Sequence, residues 1–246
     1  KKIFQKEKPD IVNHHAAQIN VRVSLEKPLF DAHINILGLL NVLQCCVDIG
    51  AKKIIFASSG GAVYGNASSL LHEKSSLQPL SPYGLAKLTG EKYIELFHRL
   101  HGLSYSILRY GNVYGPRQNP DGEAGVIAIF ISHLLRNESP TIFGDGTQTR
   151  DYVYVNDIVA INMLCLENGN GQIFNIGTGK ETSVLNILSH IESELHVSIK
   201  PTYVDPRVGE VARSALNSSY AKEVIGWTAK TSLSHGIKKT IEWFQR

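Results

Sequence analysis

Apolar positions recur at helical spacing from Pro28 to Gly50, and a glycine there is a fitting helix stop. The run Lys53-Ile54-Ile55-Phe56-Ala57 is instead continuously apolar and ends in Ser58-Ser59-Gly60-Gly61. That pattern predicts a buried parallel strand presenting hydroxyls at its carboxyl end. Ser81-Pro82 ends an irregular segment and opens a helix running from Tyr83 to His101, because proline fits the first turn, where its missing N–H costs nothing. Asp10 to His14, after a short amphipathic helix, and Ser104 to Tyr110 read as further strands. Next come a loop from Asn119 to Gly125, a helix from Val126 to Asn137, a short strand and turn at Thr141 to Gly146, and strands at Arg150 to Val155 and Gln172 to Ile176. Helices at Ser183 to Leu195, Tyr220 to Gly226 and Ser232 to Gln245 close the chain. This order of elements implies an α/β fold built on a doubly wound parallel sheet.

With 246 residues, 43% hydrophobic and 19% charged, the chain can bury a sizeable core and has an ordinary globular composition. The net charge of +3 is scattered, which leaves no nucleic-acid or membrane footprint. No apolar run approaches the roughly 20 residues that a membrane helix needs. Cys45, Cys46 and Cys165 lack ligand-like spacing and read as reduced core thiols of a cytosolic protein, with no metal site. The chain opens in what reads as mid-helix, and Met163 is its only methionine, so it is expected to be the remainder of a longer protein.

Tyr83 and Lys87 stand four apart on one helical face, where their side chains can meet. An ammonium beside a phenol favours the phenolate. Lowering a tyrosine pKa from about 10 to about 7 takes roughly 4 kcal/mol, within reach of one partly desolvated ammonium plus a second cation. The product is a general base suited to an alcohol proton. Gly177-Thr178-Gly179 is not a dinucleotide fingerprint, because the sixth position is Thr182 rather than glycine.

A strand-end serine, a helical tyrosine and a lysine one turn on resemble the triad of the short-chain dehydrogenase/reductase superfamily. The chain as a whole resembles that group's extended, nucleotide-sugar-modifying branch, closest to its UDP-glucose 4-epimerases. The resemblance implies Tyr83, Lys87 and Ser59 as catalytic residues. Many relatives carry the hydroxyl at the position of Gly60, so the role falls here to Ser59 or Ser58, or to backbone and water, and Ser59 is favoured. It further implies Ala16, Ala17, Gln18, Ser58, Tyr110 and Gly111 as cofactor neighbours, beside Tyr83 and Lys87. Asn35 is either a helix–strand clamp or a cofactor neighbour. Packing accounts better than catalysis for His14 and His15, and Arg109 suits an internal ion pair.

For the substrate, the resemblance implies contacts at Asn112, at Thr141, Ile142 and Phe143 beside the base, at Arg150 and Arg207 for phosphate, and at Glu210 for ribose. Arg150 has a surface salt bridge as its alternative reading. Ser214 would border the sugar's C2 substituent, and being small it leaves room for an N-acetyl group. The implied organisation is a partial, Rossmann-like NAD-binding part at 1–111 and a nucleotide-sugar lobe at 112–246, some of whose later segments return to the first sheet. The implied activity is 4-epimerisation of a UDP-hexose through a transient 4-keto sugar, with NAD regenerated each turnover, in a cytoplasmic homodimer paired through Phe30 to Ile49 and Tyr83 to Leu100. Alternatives are a nucleotide-sugar 4,6-dehydratase, a UDP-glucuronate epimerase or decarboxylase, or a non-catalytic nucleotide-sugar-binding protein. No glycine-rich βαβ unit to cradle the pyrophosphate is found, so the chain as given is expected to hold NAD poorly.

Overall fold

The computed structural model describes residues 1–66, 69–121, 125–206 and 211–246. A short helix α1 (Lys2–Glu7) leads into β1 (Ile11–His14), and α2 (Val21–Glu26) follows under an Asn20 cap. Helices α3 (Pro28–Ala32) and α4 (Gly38–Ile49) are joined into one rod by a π-turn at His33–Leu37, and Gly50 ends it in the left-handed conformation. Strand β2 (Lys53–Ser59) runs into the single turn α5 (Gly60–Val63). Helix α6 (Pro82–His101) starts where Ser81 accepts the Gly84 N–H at 3.1 Å and stops at Gly102. Then come β3 (Ser104–Tyr110), β4 (Asn112–Tyr114), α7 (Val126–Leu135), β5 (Thr141–Phe143), β6 (Thr149–Arg150), β7 (Tyr152–Tyr154) and α8 (Val155–Glu167). The chain closes with β8 (Gln172–Ile176), β9 (Thr182–Ser183), α9 (Val184–Leu195), β10 (Thr202–Val204), α10 (Ser219–Ile225) and α11 (Leu233–Phe244).

The main sheet has the order β1-β2-β3-β8, all parallel. In its register Ser58 lies beside Arg109 and Ser59 beside Tyr110, while Tyr110 faces Ile176, so the carboxyl ends of three strands finish level. Alternation sorts the strands between two layers. Ile54, Phe56 and Ile107 pack against Leu39, Leu43 and Ile94 of α4 and α6. Ile55, Ala57, Leu108 and Phe174 pack against Ile158, Ile161, Ala221 and Trp227 on the other side. A separate core joins α7, α9 and α11 to β5 and β7 through Ile127, Phe130, Ile142, Tyr154, Ile187 and Ile237.

Two sequence expectations are corrected. The stretch Arg150 to Val155 is not one strand: it breaks at Asp151, and Val155 already opens α8. Residues Val155, Ile158, Ile161 and Cys165 do recur at helical spacing, but the apolar run Tyr152-Val153-Tyr154-Val155 masks the change of period. The rod Pro28–Ile49 is 22 residues long and meets the length and composition of a membrane span, contrary to the expectation that no such run exists. Leu39, Leu43 and Cys46 seat it on the sheet, while Leu29, Phe30, Ile34 and Leu37 point outward.

Arg109 makes the internal ion pair expected of it. Its Nε and Nη2 donate to the two carboxylate oxygens of Glu91 at 2.9 and 2.6 Å, Ser58 Oγ donates to the same carboxylate, and Nη1 donates to Tyr64 Oη at 2.8 Å. Tyr64 passes the chain on to Asn175 Oδ1 at 2.7 Å. Glu91 and Arg109 are buried. Truncating one partner of a buried pair strands the other charge. The Glu91→Ala variant is therefore expected to lose about 3–5 kcal/mol of unfolding free energy in urea titrations, whereas Arg109→Leu combined with Glu91→Met costs far less. Equal losses in the single and double variants would contradict this.

Candidate active site

Helix α6 reaches the sheet closely because two of its residues lack a side chain. A Cβ on Gly84 would lie 2.6 Å from the Ala62 carbonyl oxygen, and one on Gly90 would lie 2.8 Å from Leu39 Cδ2 and 3.0 Å from Phe56 Cζ. This approach brings Tyr83 to the end of β2, where the Ser59 hydroxyl is near enough to favour the ionised phenol. Lys87 is buried, donates to the Ala57 carbonyl at 2.8 Å, and stands 5.9 Å from the Tyr83 ring centroid and 5.0 Å from that of Phe56. Ser58 points elsewhere, into the Glu91 carboxylate.

The electrostatics differ from the sequence expectation of an acidified phenol. Burial pushes the Tyr83 phenol up to about 12; the Ser59 hydroxyl opposes this, and the Asp31 charge adds to it. The residue as a whole is half-buried. The same burial lowers Lys87 to about 8, against the support of Asp31 and Glu91. The physical reason is that desolvation disfavours both charged forms, and the ammonium is bonded to a carbonyl rather than to the phenol.

Ala16 and Ala17 line a cleft together with His14, His33, Gly38 and Asn41. Gln18 and Asn35 clamp one another: Gln18 N–H donates to Asn35 Oδ1 and Asn35 Nδ2 donates to Gln18 C=O, both at 2.9 Å. Both side-chain amides also reach Oδ1 of Asp31, while its Oδ2 is buried with no hydrogen-bond partner among the described residues. Asp31, unmarked by sequence reading, precedes Asn35 by one helical turn, and that spacing is the signal it offered. His14 is held near 4 by burial and by the Lys87 and His15 charges, and it stacks on Phe56. The Tyr110 side chain turns away into the α8 layer, accepting from Asn162 Nδ2 at 2.8 Å, so only its backbone remains at the strand ends.

Gly111 sits where a Cβ would lie 2.7 Å from the Asp151 carbonyl oxygen. Asn112 is half-buried, and its Oδ1 lies beside Gly61. Ile142 is a core side chain and offers a ligand only its backbone, while Phe143 lines a second cleft with Gln148, Tyr203, Val204 and Arg213. Thr141 and Arg150 are half-buried, and Arg150 Nη1 donates to the Thr149 carbonyl. Ser214 is buried. Arg207 and Glu210 lie outside the described residues. A Cβ at Gly60 would lie 2.5 Å from Leu216 Cδ1, so Leu216 fills the space of the side chain missing there. The strip from Val211 to Leu216 thus runs from the second cleft to the Gly60 turn. Among the described residues no group of three His, Cys, Asp or Glu could hold a metal ion.

Residues 1–177 match the model of the NAD dependent epimerase/dehydratase family. A UDP-glucose 4-epimerase of Mycolicibacterium smegmatis is 41% identical over 240 residues, covering 97% of this chain and 77% of the relative. The crystal structure of a UDP-glucose 4-epimerase from Thermotoga maritima with UDP-glucose superposes with a TM-score of 0.97 at 46% identity, over 99% of this chain and 80% of that one. A Thermus thermophilus UDP-glucose 4-epimerase in complex with NAD gives a TM-score of 0.96 at 37% identity, over 99% and 80%.

The two perturbed groups carry opposite signs in pH dependence. Tyr83 has a folded value above its ordinary 10.0, so its contribution to stability is lost as pH rises from there toward about 12. Lys87 has a folded value below its ordinary 10.5, so its burial penalty is relieved as pH rises from about 8. In carbon-13 spectra of ring-labelled tyrosine, with Tyr83→Phe for assignment, the Tyr83 signal of the chain without cofactor is expected to stay unmoved to about pH 11. A midpoint near neutrality would overturn the burial argument.

Proposed function

The chain belongs to the NAD-dependent epimerase/dehydratase family, and we propose from that premise that it interconverts UDP-glucose and UDP-galactose by NAD-dependent epimerisation at C4. The observation that carries the reading is the convergence of Ser59, Tyr83 and Lys87 at one strand end.

The residues present fit the nicotinamide end of the cofactor. Lys87 gives one N–H to Ala57, which leaves two for a ribose, and the small residues Ala16 and Ala17 border the adjoining cleft. For the pyrophosphate no glycine-rich counterpart occurs among the described residues, since the Thr178 and Gly179 N–H groups are turned onto Asp151. NAD, when bound, would supply a reversible hydride acceptor and a positive charge. The charge matters quantitatively. Bringing Tyr83 from about 12 to about 7 requires roughly 7 kcal/mol. The value of about 12 holds with Lys87 already in place, so its ammonium alone does not ionise the phenol. Lys87 therefore needs the second cation to make Tyr83 a base.

Tyr83 then takes the proton of the C4 hydroxyl and later returns it. Ser59 hydrogen-bonds the same oxygen as hydroxyl and as ketone. Asn112, Arg150 and Arg207 hold the diphosphate, Phe143 borders the base, Glu210 the ribose, and Ser214 leaves space at C2. Anchoring the remote nucleotide lets the sugar turn without leaving. A dehydratase of this superfamily carries an acid pair after the strand-end hydroxyl; here Gly60-Gly61-Ala62 follows and Leu216 fills the gap, which speaks against that chemistry. We assign cofactor binding to 1–111 and the sugar lobe to 112–246, with α8, β8 and α10 returning to the first sheet. The outward Phe30, Ile34 and Leu37, with Leu85 and Leu100 of α6, favour a homodimer, and three buried unpaired cysteines suit the cytoplasm.

With UDP-galactose and NAD, the protein as its gene encodes it is expected to form UDP-glucose with no net NADH. Tyr83→Phe should lower kcat by about 10²–10⁴. A 4-keto-6-deoxy product would instead indicate a dehydratase, and UDP binding without turnover a non-catalytic protein. In light-scattering chromatography Leu37→Glu should shift a dimer to monomer; an unchanged mass would remove these helices as the interface.

A further inference from the structure

Asp151 occupies the break between β6 and β7 and is buried. Its Oδ1 accepts the Thr178 N–H at 2.8 Å and the Thr178 hydroxyl at 2.6 Å. Its Oδ2 accepts the Gly179 N–H at 2.9 Å and the Leu216 N–H at 3.1 Å. Its carbonyl accepts the Asn112 N–H at 2.7 Å. Two glycines make room for it: a Cβ on Gly177 would lie 2.4 Å from Oδ2, and one on Gly111 would lie 2.7 Å from its carbonyl oxygen. One residue thus ties together the β3–β4 junction, the turn after β8 and the strip that carries Ser214. Its own neighbour in sequence is Arg150.

We propose that Asp151 is a positioning residue for nucleotide-sugar binding: through its carboxylate and carbonyl it sets the spacing between Asn112, Arg150 and Ser214, which lie on three separate segments. The proposal rests on the substrate reading given above. Asp151 touches no substrate atom in this account. It acts by denying the three segments independent movement, because a four-coordinate carboxylate in the interior has no alternative partners and holding it in place costs little once the site is folded. An amide in its place puts an N–H₂ against N–H donors, so at least one side of the knot opens.

The test compares UDP binding by calorimetry, and KM with kcat for UDP-galactose in the presence of NAD, in the unmodified protein as its gene encodes it and in its Asp151→Asn and Thr178→Val variants. Asp151→Asn is expected to weaken UDP and raise KM about tenfold or more, with kcat within about threefold. Thr178→Val, which removes one hydroxyl donor and keeps the backbone, should raise KM about threefold in the same direction and decides the matter if Asp151→Asn does not fold. Unchanged UDP affinity in a folded variant, or a fall in kcat at constant KM, overturns the positioning role while leaving the substrate reading intact. Failure of the unmodified chain to bind UDP overturns both.

Discussion

The structure depends most on the buried carboxylate of Glu91. It sits one helical turn after Lys87 and two after Tyr83, so all three share a face of α6. Its bonds reach Ser58 on β2 and Arg109 on β3, which are register partners at the strand ends. A helix held by packing alone could slide by fractions of an ångström along the sheet. One held by a bidentate guanidinium and a serine cannot, because any shift leaves a buried charge under-coordinated. The next residue on β2 is Ser59, so the pair that fixes the helix also fixes the distance between the Ser59 hydroxyl and the Tyr83 phenol. Gly84 and Gly90 complete the constraint sterically.

That rigidity brings an electrostatic consequence. The site is dry enough that burial alone holds Tyr83 neutral and brings Lys87 toward neutrality. Asp31 opposes the phenolate and supports the ammonium, which leaves Lys87 mostly charged near pH 7. A phenol held protonated in this way would act as a base, in the proposed reaction, only once a second cation lies near it. The low dielectric that suppresses the phenolate also strengthens every charge later brought near it, so the suppression and the activation have one cause.

Sequence reading went furthest where the signal is local. Gly50 ends its helix in the left-handed conformation, Ser81-Pro82 and Ser183 open theirs, and the Tyr83–Lys87 spacing needs only helical periodicity. Reading failed where tertiary contacts decide. The break at Asp151 follows from donors on three distant segments, and nothing within Arg150 to Val155 announces it. Asn35 could be a clamp or a ligand until Gln18 was placed beside it, and the Tyr110 side chain and Ile142 look exposable until the layers are assembled. The helix from Pro28 to Gly50 was legible, but its having the length and composition of a membrane span was not, because Asp31, His33 and Asn35 interrupt the apolar run while the π-turn carries the chain through them unbroken.

The glycine at position 60 ties these levels together. A side chain there would collide with Leu216, and Leu216 is itself held by its N–H on Asp151. Its packing against Val63, Tyr64 and Leu71 closes the small core behind the strand end. With that space filled, Ser59 is the hydroxyl left beside Tyr83, since Ser58 is bonded to Glu91. The hydroxyl available beside Tyr83 is therefore set less by its own position than by two buried carboxylates, Glu91 withdrawing Ser58 and Asp151 holding the leucine that leaves no room for a side chain at position 60.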